Sequence, residues 1–405
     1  MTGAPESGSG RMLPTHKEPV LSGRLLAIMT LATSLAIANT YYNQPMLGLF
    51  IRDFGATARE VAFMPFLCQL GYAIGLFFLS PLGDRVERKM LILTTILGLS
   101  ISLAGAAAAP NLIWLGVACL LIGILTTVVQ QILPLAVHLA EPAQRGKVVG
   151  TVTSGILIGI LLARTISGYV SDHLHWRVMF AIAAGLMLAL AGMLATVLPR
   201  VAPVTRDHYG RILASLFSYF ARHRSLRLSS LCQAALFASF SAFWANLALV
   251  LRLPPYNLGA TAVGLMGLIG AGGALVAPIA GRIADRRGPQ TVVTLSAILV
   301  FVSFLIFLLV QGSIIAMIIG VVLMDLGVQS ALVSNQASIH TLDGGARSRI
   351  NTVFMTTMFC GGALGSVLGG SAFETWGWTG TCLVGICAAV IGFILSLLNR
   401  KGHHA

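Results

Sequence analysis

Gly281-Arg282-Ile283-Ala284-Asp285-Arg286-Arg287-Gly288 and its counterpart Ser80-Pro81-Leu82-Gly83-Asp84-Arg85-Val86-Glu87 are short charged turns between long apolar runs. The 281–288 octapeptide opens and closes on glycine; the 80–87 copy carries Ser80 and Glu87 there but keeps Asp84 and Arg85, with Arg88 and Lys89 just after it. The aspartates stand 201 residues apart in a chain of 405. A charged turn that recurs once per half-chain points to a chain built from two related halves.

Composition sets the solvent in which those halves fold. Charged residues are 10% of the chain and hydrophobic ones 56%, whereas soluble domains carry about 25% charged residues. The apolar runs reach the ~20 residues that cross a bilayer as helices, so the chain reads as an all-α, polytopic membrane protein. The net charge of +13 is spread over connecting loops, which membrane topology explains better than a nucleic-acid partner, and none is expected. Cys68, Cys119, Cys232, Cys360, Cys382 and Cys387 lie inside apolar runs without paired spacing and read as small core residues. Residues 1–23 form a polar tail rich in Gly, Ser and Pro, without a cleavable signal.

Twelve spans follow, near 24–45, 59–82, 90–109, 112–139, 148–171, 177–198, 227–251, 259–283, 290–310, 312–338, 350–373 and 378–398. They group as a six-helix bundle over 24–198, a basic linker over 199–226, a second bundle over 227–398 and a tail over 399–405. With both termini cytoplasmic, the inner segments hold 21 Lys and Arg and the outer loops only Arg52, Arg59, Arg177 and Arg252; the positive-inside bias selects that orientation. From the end of span four the halves align at a constant offset of 202, pairing Arg145 with Arg347, Gly159 with Gly361 and Trp176 with Trp378.

The doubled charged turn, together with Tyr41-Tyr42-Asn43-Gln44-Pro45 at the end of span one, resembles the major facilitator superfamily of secondary transporters. The Tyr-Tyr-Asn-Gln-Pro run also looks like one branch of that family, which includes proton-driven drug, sugar and nucleoside exporters. Span five holds Gly150, Gly159, Ala163, Arg164, Ser167 and Gly168 where that branch has its antiporter motif, with Arg164 in place of a proline. The resemblance implies two parallel six-helix repeats around a midplane cavity. It also implies a gating role for Asp84, Arg85, Asp285 and Arg286, with Arg145 and Arg347 at matching places in the shorter loops. The first helix of each repeat lines the cavity in this family, which nominates Asn39, Tyr41, Tyr42, Asn43, Gln44, Trp244 and Asn246 as substrate contacts. An interfacial aromatic belt is the plainer reading of the tyrosines.

The residues themselves add two charges. Asp325 stands 13 residues into span ten, about 20 Å along a helix of 1.5 Å rise and so near mid-bilayer. Ionisable groups at that depth are costly and functional by default, and a carboxyl whose proton exchange is tied to a conformational cycle is what proton coupling requires. Arg164, nearer the outer third of span five, either snorkels outward or sets a fixed positive charge in the cavity for an anionic or polyhydroxyl substrate. Polar stripes on span four (Thr127, Gln131, Pro134, His138) and span ten (Asp325, Gln329, Gln336, His340) should face protein or water, and Gln130, Gln131 and Gln329 join the nominated substrate contacts. The glycines of span eight, Gly264, Gly267, Gly270 and Gly273, fit close packing of any kind.

No phosphate-cradling loop, metal-ligand spacing or nucleophile elbow occurs, so neither an enzyme nor a cofactor is expected. The expected activity is export of a small organic compound by proton antiport in the inner membrane, by a monomer whose partners are substrate, proton and the lipid bilayer. A proton symporter or uniporter and a non-transporting receptor on the same fold are the alternatives.

Overall fold

Polar residues placed before the apolar runs decide where the helices start. In the computed structural model, which describes residues 21–83, 85–201, 208–274, 288–343 and 346–401, Ser22 accepts a hydrogen bond from the Leu25 N–H, Asn111 from Trp114 and Ser313 from Ala316. Thr57 and Glu60 close a reciprocal capping box. The helices are α1 (Gly23–Ala38), α2 (Leu47–Phe54), α3 (Ala58–Leu82), α4 (Arg88–Ala107), α5 (Leu112–Thr126), α6 (Val129–Leu139) and α7 (Arg145–His173). They continue with α8 (Trp176–Val197), α9 (Tyr209–Arg222), α10 (Arg224–Arg252), α11 (Ala260–Ala274), α12 (Pro289–Leu309), α13 (Ile314–Ile339) and α14 (Arg347–Lys401). Asp84 and the stretch 281–287, with Asp285 and Arg286, lie outside the described residues, as do most of the expected tails.

Among the described residues nine helices are long and apolar enough to cross a bilayer, counting α5 and α6 as one and α14 as one. Gly377 divides α14 with a left-handed φ of 58°, and the two arms run in opposite directions. Gly361 and Gly365 of the first arm climb past Ala234 and Ala238 of α10. Beyond the turn, Trp378 bonds the Phe307 carbonyl at the end of α12, and Ser396 meets Thr294 near its start. Two spans in α14 and the shorter apolar helices α1 and α11 bring the tally to the twelve expected positions.

Two spans are broken rather than continuous. Span one stops at Ala38, turns through residues 39–43, passes a 3-10 turn at Gln44–Met46 and resumes as α2 to Phe54; it is longer than expected, and its break precedes Pro45. Span four breaks at Thr127, and Pro134 further weakens α6 because it has no N–H to give. The offset of 202 also appears in the packing. Gly159 of α7 seats against Ser34 of α1, and Gly361 of α14 against Ala234 of α10, so span five rests on span one as span eleven rests on span seven.

The halves meet along α3 against the first arm of α14 and along α7 against α11. On the face away from the linker they are tied directly. Asp172 at the end of α7 accepts from the Ala260 N–H (3.1 Å), the Thr261 N–H (2.6 Å) and the Thr261 hydroxyl (2.8 Å), capping α11 of the other half. Arg252 donates to the Gly48 carbonyl from the opposite direction. On the linker face α9 bridges the halves: its Tyr209 hydroxyl donates to the Phe78 carbonyl, while Leu216 packs with Leu226, Ile339, Ile350 and Phe354. An apolar cavity of about 440 Å³ lies there between α3, α9 and α14, lined in part by Phe77, Phe217 and Cys360. Cys360 and Cys387 are exposed, against the expectation that every cysteine is a core residue; Cys360 opens onto that cavity.

Candidate substrate and proton site

The break after Ala38 lets span one present side chains that an unbroken helix would turn elsewhere. Asn39 spends its amide on the Leu35 and Ala36 carbonyls, closing the end of α1. The 3-10 turn then carries Gln44 to Arg164, whose Nε donates to Gln44 Oε1 at 2.7 Å. The Arg164 guanidinium lies 4.1 Å from the Trp244 ring centroid, 4.8 Å from Tyr41 and 5.5 Å from Phe240. Cation–π attraction from three rings and a charge-assisted hydrogen bond replace the water a guanidinium would otherwise hold. At 3% exposure the side chain points into the protein, so the snorkelling alternative is corrected. Trp244 and Phe240 belong to the C-terminal half, and this single arginine therefore contacts both halves.

Asp325 on α13 is 7% exposed and faces α11. A Cβ at position 270 would fall far inside contact distance of its Oδ2, and a Cβ at position 267 would lie 3.1 Å from Arg164 Cβ. Residues three apart on a helix share a face and are separated by about 4.5 Å along the axis. The glycine face of α11 thus holds the Arg164 stem one turn from the Asp325 carboxylate. The two charges do not touch: Arg164 Nη2 and Asp325 Oδ1 are each buried without a hydrogen-bond partner. The Trp244 indole N–H is directed toward the carboxylate but falls short of a formed bond. The glycines of span eight, uninformative in the sequence, are what let charges from opposite halves approach.

The remaining nominated residues divide into two groups. Tyr41, Tyr42, Asn43, Gln44, Trp244 and Asn246 are all buried; they lie at the break of span one and in the last third of span seven. Asn246 bonds its own helix at the Ala242 carbonyl and leaves Oδ1 unmatched. Gln130 donates to the Tyr72 hydroxyl at 3.4 Å, whereas Gln131 lies beside Gly83 toward the linker face and is not brought to Arg164. Gln329 is half-buried one turn beyond Asp325. Of the gating set, Arg85 and Arg145 are exposed, and Arg347 donates to the His340 carbonyl at 3.2 Å. The buried guanidinium of the first charged turn is Arg88, which donates to the Gly83 carbonyl. Lys89 bonds the Leu198 carbonyl at 2.8 Å, tying span three to span six.

Three buried polar residues were missed in the sequence. Gln69 crosses between halves, accepting from Ser241 at 3.1 Å and donating to Ser366 at 3.5 Å. Gln233 and Asn335 pair at 3.2 Å inside the C-terminal bundle. Each is a lone amide in an apolar run, the same signal that marked Asp325.

The model of the Major Facilitator Superfamily matches residues 29–341 and 257–404 of the chain. The uncharacterized transporter YgaY of Escherichia coli O157:H7 is 39% identical over 94% of this chain and 96% of its own. A probable transporter of Streptomyces coelicolor is 34% identical over 97% of this chain and 92% of its own. The multi-drug resistance efflux pump PmrA of Streptococcus pneumoniae is 28% identical over 37% of this chain and 38% of its own. Among solved structures, a bacterial homolog of the human lysosomal transporter Spinster, inward-facing and occupied, superposes with a TM-score of 0.73. It is 14% identical and covers 93% of this chain and 96% of that one.

Proposed function

Starting from a chain that belongs to the Major Facilitator Superfamily, and hence from a multi-pass membrane transporter, we propose that it exports a small organic compound by proton antiport through alternating access. Asp325 carries the proton and Arg164 is the fixed charge against which it works. The observation that carries this reading is the pair of buried charges from opposite halves on one glycine face of α11, each with an unused hydrogen-bonding atom.

With Asp325 ionised, the carboxylate balances the guanidinium, and the field between them favours the halves closed on each other at this level. While it is ionised, Asp325 offers its unused Oδ1 to a donor group on the substrate, and Arg164 Nη2 holds a neighbouring acceptor group. A proton on Asp325 removes that acceptor, so proton and substrate compete for the same carboxylate, which is the elementary requirement of exchange. Asn43, Gln44, Asn246 and Gln329 supply neutral polar contacts, so the site suits a neutral polar or anionic molecule with an aromatic or ring surface to lie on Tyr41 and Trp244. Alternating access moves the two bundles about this level. Asp172 and Arg252 hold the face away from the linker closed, and the linker face, with its excess of arginine and lysine, is taken as cytoplasmic. The partial likeness to a multidrug efflux pump and the glycine pattern of span five support export.

The test is reconstitution with a ligand-stabilisation hit from a panel of sugars, nucleosides, amino acids and drugs. Asp325→Asn should abolish transport driven by a pH gradient while leaving exchange of substrate for substrate. Unchanged pH-driven transport in that variant removes Asp325 from the coupling step. Proton influx in the same direction as substrate converts the antiporter into a symporter.

A further inference from the structure

α9 has two unlike faces. Ile212 and Leu216 are buried against the bundle, and Phe217, 66% exposed, lies beside them on the side that borders the apolar cavity. The opposite face borders a second cavity of about 450 Å³, open to the linker face and lined by Arg211, Ser218, Arg222, His223, Asp343 and Arg349 among others. Arg211 and Arg222 come from α9 and His223 follows its last residue, while Arg349 lies in the first turn of α14 and Asp343 in the connection before it. Asp343 is engaged by the Tyr219 hydroxyl at 3.5 Å. Among the described residues, none of the three guanidiniums has a hydrogen bond or ion pair from its side chain. Three like charges around one concave site, with a single carboxylate among them, repel one another unless an anion enters.

We propose that this cavity binds the phosphate of an anionic phospholipid headgroup. Guanidinium forks match phosphate oxygens in pairs, and Ser218 adds a hydroxyl at the same wall. Two observations favour a lipid over a soluble phosphate. α9 is amphipathic, with an exposed phenylalanine on its apolar side, which is the character of a helix lying in the interfacial layer. Basic clusters flanking transmembrane helices on the positive side are also where anionic headgroups sit. The occupied site would join α9 to the start of α14 and so fix the linker to the C-terminal bundle. It stands apart from the Arg164–Asp325 cluster and does not depend on the transport reading.

The test uses the purified full chain, stripped of lipid and titrated with vesicles of phosphatidylglycerol, of phosphatidylcholine, or with inorganic phosphate. Binding is read by native mass spectrometry and by thermal midpoint. Phosphatidylglycerol should bind and raise the midpoint, phosphatidylcholine and phosphate should do neither, and Arg211→Gln/Arg222→Gln should weaken phosphatidylglycerol binding at least tenfold. Arg222→Gln alone should weaken it less, and Lys147→Gln, at an exposed base elsewhere, should leave it unchanged. Equal binding by the wild type and the double variant, or an equal effect of Lys147→Gln, overturns the site. An equal midpoint shift with inorganic phosphate overturns its assignment to lipid.

Discussion

Replacing Gly270 by alanine tests the placement of Asp325 without any substrate in hand. The new methyl group would fall well under 3.0 Å from Asp325 Oδ2 and 3.2 Å from Val321 Cγ1. Ordinary contact distances require the carboxylate, or the whole of α13, to withdraw by about 1 Å. Overpacking of this kind costs about 1–3 kcal/mol. The decisive comparison is the same substitution in an Asp325→Ala background, where the oxygen is gone and only the mild Val321 contact remains. There Gly270→Ala should cost less than about 0.5 kcal/mol, leaving a coupling of at least about 0.5 kcal/mol between the two positions. Gly267→Ala is the graded control: its methyl group would meet the flexible Arg164 stem at 3.1–3.2 Å, and a small adjustment relieves it at well under the cost of Gly270→Ala. Unfolding in mixed micelles, followed by helical circular dichroism, measures the four variants against the wild type. An equal penalty for Gly270→Ala in both backgrounds would mean that the carboxylate is not packed on α11, and the charge arrangement proposed for coupling would fall with it.

Two further outcomes follow from bonds on the face away from the linker. Asp172→Ala removes the cap that α7 places on α11 across the halves; discounted for exposure, it is worth about 1 kcal/mol, or roughly a fivefold shift toward the state open on that face. In a background without the exposed thiols, a cysteine replacing the buried Ser171 should react with an impermeant maleimide about fivefold faster in the variant, and an unchanged rate refutes the latch. At the outer corner, burial would raise the pKa of Asp53. It is outweighed by the Trp176 (2.8 Å) and Arg52 (3.2 Å) hydrogen bonds and the charges of Arg52 and His175, and the group sits below its ordinary value. Its stabilisation is therefore complete above the unfolded-state value of about 4 and is lost as pH falls through the lower folded one. Trp176 fluorescence should report loosening of the α2–α8 corner on acidification below about pH 4, and Asp53→Asn should show the loosened signal at neutral pH already. An identical acid limb in that variant removes Asp53 as its cause.

Much of the architecture was legible because the bilayer leaves few choices. An apolar run of span length has to be a helix, and a charge inside it has to face protein, which is why Asp325 and Arg164 stood out. What the sequence hid was who meets whom. Arg164 and Asp325 are separated by half the chain, and only the close approach of α7 and α13 to the bare backbone of α11 joins them. Gln131 shares a helical face with Thr127, Pro134 and His138, yet the break at Thr127 and the proline after it leave its side chain toward the linker face. Arg88 rather than Arg85 is the buried base of the first turn, because α4 begins at Arg88 and its first residue turns back onto the Gly83 carbonyl. The place of α9 across both bundles depends on tertiary contacts of Tyr209 and Leu216 that no local pattern encodes.

The burial of Arg164 also constrains how the chain is made. Placing an arginine within a nascent hydrophobic segment costs about 2.5–3.5 kcal/mol at insertion, and span five must bear that cost as it leaves the translocon. Gln44 and Tyr41 have by then already been synthesised in span one, against which span five packs, so the guanidinium enters beside its first partners. Asp325 emerges later still, toward a positive charge that is already in place. Synthesis from the N-terminus thus supplies each intramembrane charge with an earlier-made companion, and a chain with its two halves exchanged in order would have to insert the acid first, unaccompanied.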